Sequence, residues 1–273
     1  MKCAFSVLMS LYIKEKTEYA DECFKSLLNQ TIKASEWVIV EDGPLTDEMY
    51  GLLEQYQKQY PGLIKRLPIK ENQGLGIALQ IGVPECSYEL IARMDTDDIA
   101  KNDRFEKQLS EFEKNPKLTI CGSQIDEFED TPDKVVAKRF VPTEHDGIVQ
   151  YQKRRDAFNH MTVMFKKSSV LKAGNYQSCP LMEDTFLWVR MIQSGAVCMN
   201  ISEPLVYVRI GQGMYERRGG WKYFLQYREG RKKVYETGFI SFIDYACTIV
   251  VQLLVALVPP KVRGWIYKKK LHA

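Results

Sequence analysis

Asp95, Asp97 and Asp98 fall within four positions of the stretch RMDTDDIA (93–100), directly after the apolar run Leu90-Ile91-Ala92. Carboxylates crowded in this way repel one another and persist where water surrounds them or a cation lies between them. No histidine or cysteine accompanies them, so any donor set is oxygen only. That suits Mg²⁺ or Mn²⁺, with coordination positions left for substrate phosphates. The stretch therefore reads as a metal–diphosphate site or, on the plainer alternative, as a solvated turn in which Asp97 or Asp98 caps a helix beginning at Arg104.

Such residues need elements that end at the right place. Phe5–Ser10 and Glu36–Glu41 are apolar and strand-like, with apolar residues at helical spacing over 18–30 between them. The alternation continues through a helix over Asp47–Tyr60, a strand over Ile64–Pro68, a helix over Leu75–Val83 and a strand over Glu89–Met94. This pace implies a parallel, doubly wound α/β sheet, whose ligands lie outside the C-terminal strand ends. The acidic stretch lies at such an end, and so does Glu41-Asp42-Gly43-Pro44.

Beyond a helix over Arg104–Lys114 the pattern becomes less regular. Strands are expected over Leu118–Ser123, Val135–Val141, His160–Phe165, Ala196–Ile201 and Leu205–Ile210, with helices over Glu144–Arg155 and Glu183–Ser194. We divide the chain into a main domain over 1–213, with halves 1–115 and 116–213, and a helical C-terminal region over 214–273.

At 273 residues, 45% hydrophobic and 27% charged, the composition is that of a folded globular protein. Net charge is only +3, yet residues 214–273 hold 12 Lys/Arg against 4 Asp/Glu, so the C-terminal end is the one suited to an anionic surface. Nothing points to nucleic acid. Seven scattered cysteines without a CxxC pair, and three histidines, exclude the usual zinc spacings, argue against a disulfide framework and fit a reducing cytoplasm. The N-terminal apolar stretch stops near Ile13 with no small-residue cleavage site, and is read as a first strand.

Five segments, VLMSLY (7–12), VIVEDGP (38–44), ENQGLGIAL (71–79), ARMDTDDIAKNDRFEKQ (92–108) and MEDTFLWVRMIQSG (182–195), carry a resemblance in order and spacing. Together they resemble the nucleotide-sugar-dependent family 2 glycosyltransferases, and among these the bacterial enzymes of capsule, exopolysaccharide and O-antigen synthesis. The resemblance implies a GT-A fold, a nucleotide-sugar donor (UDP-sugar first), Mn²⁺ or Mg²⁺, and a glycan acceptor on a polyprenyl diphosphate. It implies that Asp42 bonds the nucleotide base, that Asp95 and Asp97 form the Asp-x-Asp pair with Asp97 the direct metal ligand and Asp95 on the ribose or the metal, and that Asp184 is the general base. Arg93 would buttress the cluster, as a structural salt bridge, or touch the diphosphate. The family's Pro-x-Tyr-Asn is replaced by Ser10-Leu11-Tyr12-Ile13, where backbone groups, with Ser10 at the strand end, would meet the nucleotide.

Other residues have two readings. Asp184 alone would serve as the N-cap of a helix over Thr185–Ser194, and Glu183 beside it would raise its pKa by repulsion. Asn72 would touch the nucleotide from a tight loop; Gly74-x-Gly76 is followed by Leu79 where a dinucleotide fingerprint needs glycine. His160 is either an acceptor contact or a satisfied core histidine. Arg209, Arg217 and Arg218 would close over the diphosphate or form a charged loop. QGMYERRGGW has the wrong spacing for a processive synthase motif, which favours transfer of one sugar.

The apolar run Phe239–Val258 contains Asp244, Thr248 and Gln252, and is flanked by basic clusters with Trp221, Trp265 and Tyr267. It reads as an in-plane helix on an anionic membrane surface, ahead of a core helix or a spanning one. The enzyme is thus expected in the cytoplasm, peripheral on the inner face of the plasma membrane. A sugar-phosphate nucleotidyltransferase is the runner-up, although Met9–Lys16 lacks its Gly-rich, lysine-bearing loop; a non-catalytic binding subunit is the third reading.

Overall fold

The computed structural model describes residues 4–211 and 219–259. Strands β1 (Phe5–Leu11), β2 (Glu36–Asp42), β3 (Ile64–Ile69) and β4 (Leu90–Arg93) alternate with helices α1 (Thr17–Leu28), α2 (Asp47–Gln59) and α3 (Leu75–Glu85). Each of these strands pairs in parallel with its neighbour in the order β3-β2-β1-β4. Parallel pairing needs a crossover between strands, and the helices supply it.

The second half adds β5 (Ile99–Ala100), α4 (Arg104–Lys114), β6 (Leu118–Phe128), β7 (Val135–Arg139), α5 (His145–Gln152), β8 (Met164–Lys166), α6 (Lys167–Lys172), α7 (Glu183–Gln193) and β9 (Val197–Arg209). The sheet continues without a break as β4-β8-β6-β9-β5, with β7 on β6, but its pairing is now mixed. β4–β8, β6–β8, β6–β7 and β5–β9 are antiparallel, and β6–β9 is parallel. The expected mostly parallel sheet is therefore confined to the first four strands.

β1 is apolar on both faces because both are covered. Phe5, Val7, Met9 and Leu11 face a core built with Phe24 of α1, Leu53 of α2 and Phe105 of α4. Leu8 faces the opposite core with Leu79 of α3 and Leu187, Trp188 and Met191 of α7.

Several sequence expectations change here. The segments 196–201 and 205–210 are one strand, β9, whose irregular register against β6 lets it pass Glu203-Pro204. The strand expected from His160 starts instead as a 3-10 turn over His160–Thr162, with pairing only from Met164. β5 and α6 were not anticipated, being too short to carry a periodicity. Helix α8 (Trp221–Glu236) packs against α9 (Phe242–Leu257), which begins three residues later than the apolar run because Ser241 and Asp244 form a capping box. Arg217, Arg218 and the basic segment 261–270 with Trp265 and Tyr267 lie outside the described residues.

Candidate active site

The order β3-β2-β1-β4 makes the C-terminal ends of β1 and β4 a topological switch point, the place where open α/β sheets bind ligands. Ser10 lies at the end of β1, half-buried, and its carbonyl accepts a hydrogen bond from Thr96 Oγ1 at 3.4 Å. This contact holds the 95–98 turn against the first strand.

Asp95, Asp97 and Asp98 come together as the sequence suggests: one carboxylate oxygen of each lies within 4.8 Å of the others. None caps α4, whose N-cap is Asp103 without a side-chain bond. Asp98 is only 2% exposed and accepts Arg209 N–H at 2.9 Å, a role the sequence did not reveal. Burial, then repulsion from Asp95, raises the Asp97 carboxyl; burial and the charges of Asp97 and Asp95 raise that of Asp98. Oxygen donors gathered this closely fit a hard divalent cation such as Mg²⁺ or Mn²⁺.

Two arginines fix the cluster from below and beside. Arg93, closing β4, is 1% exposed and ion-paired with Asp95. Its Nε and Nη1 have no hydrogen-bond partner, so a buried cation holds two free donors beside the acidic rim. Arg209 does not hang free to close over a diphosphate. It pairs with Glu22, donates Nε–H to the Asp97 carbonyl at 3.2 Å, and lies 4.0 Å from the Tyr19 ring centroid and 4.6 Å from that of Phe128. The side chain is a brace for the acidic turn.

Glu15, in the β1–α1 connection, is a fourth carboxylate that the sequence analysis missed. It is half-buried, and burial followed by the charges of Asp97 and Asp95 pushes it up to about 7. The available signal was its position just after the first strand of a doubly wound sheet.

Asp42 at the end of β2 is almost fully buried and braces the 72–74 loop. Its carboxylate accepts from Gln73 N at 2.7 Å, Gly74 N at 2.9 Å and Asn72 Nδ2 at 3.0 Å. Any base contact by Asp42 would share a carboxylate already engaged, and the Asn72 amide points back to it. Gly43 is required by this arrangement: its φ is +84°, and a Cβ there would lie 2.7 Å from Asn72 N.

α7 brings its first turn to the same rim. A Cβ added at Gly76 of α3 would lie 3.1 Å from Glu183 Cβ, so the two halves of the chain meet at these helix starts. Asp184 is half-buried, and its Oδ1 accepts its neighbour Thr185 N–H at 2.7 Å; the helix N-cap is Met182. Burial, then the charges of Asp156 and Glu183, raise Asp184 to about 8, and burial raises Glu183 as well. Asp156 is the other residue the sequence concealed. It accepts the Thr185 hydroxyl proton from across α7, through a contact between segments 29 residues apart that no local pattern encodes.

His160 bonds Tyr176 Oη through Nε2 at 2.9 Å, with its ring 5.8 Å from that of Trp188. Burial, then the nearby Arg93 charge, holds it well below the usual histidine range, so it is a neutral, partnered member of an aromatic group.

Residues 6–171 match the family described as Glycosyl transferase family 2. The chain is 38% identical to the amylovoran biosynthesis glycosyltransferase AmsE of Erwinia amylovora, over 97% of this chain and 98% of that one. It is 35% identical to an Escherichia coli UDP-Gal:alpha-D-GlcNAc-diphosphoundecaprenol beta-1,3-galactosyltransferase, covering 98% and 96% of the two chains. Among solved structures, S. aureus TarS residues 1–349 with UDP-GlcNAc superposes with a TM-score of 0.64 at 15% identity, covering 84% of this chain and 66% of that one. Against another S. aureus TarS structure, the chain spans 46% of that chain. The Pyrobaculum calidifontis mannosyltransferase PcManGT, with GDP-Man and Mn2+, gives 0.65 at 11% identity, covering 94% and 71%. At such identities these two establish a shared GT-A fold. With an acidic rim at the switch point and relatives matched over nearly their full length, the chain belongs to glycosyltransferase family 2.

Proposed function

We propose that this enzyme transfers one sugar, with inversion, from a UDP-sugar to a hydroxyl of a bacterial surface-glycan precursor on a polyprenyl diphosphate, at the cytoplasmic face of the membrane. The observation that carries the reading is that two carboxylate groups share the charge of Arg93: the Asp95/Asp97/Asp98 rim, ion-paired to it through Asp95, and Glu183-Asp184. The lipid-linked acceptor is suggested by the substrate in the name of the E. coli relative.

Asp97, with Asp95, would hold a divalent cation, which when bound supplies charge neutralisation for the diphosphate leaving group. Arg93 aligns Asp95, and its unpartnered Nε and Nη1 keep positive charge beside the rim. Arg209 keeps the turn rigid, so the rim is set before the donor arrives. Ser10 and the 72–74 loop on Asp42 line the nucleotide side. Asp184 takes the proton from the acceptor hydroxyl; a carboxyl raised to about 8 is a strong base once ionised. One base acting in one displacement inverts the anomeric carbon. Glu183 and the His160–Tyr176 pair stand on the acceptor side of this base.

A nucleotidyltransferase role falls away with the family membership, and a binding subunit without turnover would have no use for a carboxyl tuned this far. The test is a thermal-shift screen of nucleotide sugars with and without Mn²⁺, followed by transfer to a synthetic polyprenyl-diphosphate acceptor and determination of the product's anomeric configuration by NMR. The expected result is stabilisation by a UDP-sugar only with Mn²⁺ and an inverted linkage; a retained linkage, or no donor among UDP-sugars, would overturn the reading.

A further inference from the structure

α9 is amphipathic in the reverse of the usual sense. Asp244, Thr248 and Gln252, at i, i+4 and i+8, form one buried polar stripe. Asp244 pairs with Arg154 Nε at 2.7 Å, and Thr248 Oγ1 accepts Arg231 Nε–H at 3.0 Å, so the stripe is tied to the residues after α5 and to α8. The opposite face is wholly apolar and faces outward: Phe242, Ile243, Val250, Val251, Leu254 and Leu257 are each 56–70% exposed. The polar residues that made this run a poor spanning segment are therefore turned away from its outer surface. No helix among the described residues is long and apolar enough to cross a membrane.

Its surroundings are cationic. Exposed Lys222, Arg228 and Lys232 lie on α8 beside Glu229 and Glu236, with Lys232 paired to Glu236, and Arg154 meets the first turn of α9 through Asp244; the sequence after the described residues adds Lys261, Arg263 and Lys268–Lys270. A second copy of the chain docked face to face would bring these like charges together, whereas anionic headgroups complement them.

We infer that the outward face of α9 is the membrane-docking surface, seated in the headgroup region of an anionic bilayer with its basic flanks on the lipid phosphates. This rests on the peripheral-membrane reading above and adds which surface makes the contact. The Arg154–Asp244 tie holds that surface to the loop carrying Asp156, and the Arg231–Thr248 tie holds it to α8.

The test compares the full chain with a Val250→Asp/Leu254→Asp variant in flotation on phosphatidylglycerol/phosphatidylcholine vesicles and on phosphatidylcholine alone, with light scattering for oligomeric state. Both side chains are exposed, so folding is checked by an unchanged melting temperature and unchanged Mn²⁺–UDP binding. The proposal expects the unaltered chain to float with anionic vesicles, more weakly in high salt, and the variant to lose at least tenfold in partition. Equal flotation of both would sink the assignment to α9 while leaving the peripheral reading intact. If the unaltered chain floats on neither vesicle, the peripheral reading itself fails. A dimer dispersed by the same substitutions, without vesicle binding, would assign the face to self-association and overturn the proposal.

Discussion

The two acidic groups of the site are held in opposite ways. Asp95, Asp97 and Asp98 are braced by two arginines: Arg93 pairs with Asp95, and Arg209 bonds the Asp97 carbonyl through its guanidinium and the Asp98 carboxylate through its backbone N–H. Among the described residues, Asp156, Glu183 and Asp184 have no ion-pair partner; Asp156 and Asp184 accept from Thr185 instead. A rim that must gather a cation and a diphosphate benefits from rigidity and from positive charge beneath it. A base benefits from the reverse, since burial and repulsion that outweigh the lowering charge of Arg93 keep its affinity for a proton high. The same residue type thus takes two roles because its surroundings differ.

Each side of this contrast can be broken separately. Asp184→Asn should lower turnover by about 10²–10⁴-fold while leaving Mn²⁺–UDP affinity unchanged, measured by single-turnover transfer and calorimetry. The same variant tests the energetics of burial. A carboxyl raised from 3.8 to about 8 on folding contributes stability below the unfolded value and loses it as pH rises through the folded one. Melting curves should therefore agree near pH 3.8 and favour the asparagine variant increasingly towards pH 8.

On the rim, Asp97→Ala should weaken UDP binding in Mn²⁺ about 100-fold and have little effect on binding without metal. Arg209→Ala should cost about tenfold in the same titration, because the turn loses its brace and not its ligands. The smallest effect is expected at Asp156. Burial is the larger cause of the Asp184 shift and Asp156 the next, so Asp156→Asn should move the acid limb of the pH–kcat/KM profile to lower pH, with kcat at high pH nearly unchanged.

The legibility of these residues in the sequence follows the distance over which each is determined. Asp95, Asp97, Glu183 and Asp184 are neighbours in short motifs at predictable element ends, so their positions and the parallel first half of the sheet could be read directly. Asp156, Glu15 and the bracing role of Arg209 depend on contacts between segments far apart, such as the pair Arg209–Glu22. The saturation of the Asp42 carboxylate depends on a loop 31 residues away in sequence, and no pattern near Asp42 announces it. α9 is the instructive middle case. Its three polar residues were visible as interruptions of an apolar run, and their four-residue spacing already placed them on one face; only the inward direction of that face required the fold.

The central claim is that the acidic rim is a divalent-cation seat for a nucleotide diphosphate. It is tested most directly by calorimetric titration of UDP into the full chain with Mn²⁺, with EDTA, and with the Asp95→Asn/Asp97→Asn variant in Mn²⁺. The account predicts saturable binding in the first experiment and its loss in the other two. Equal affinity in all three would contradict it.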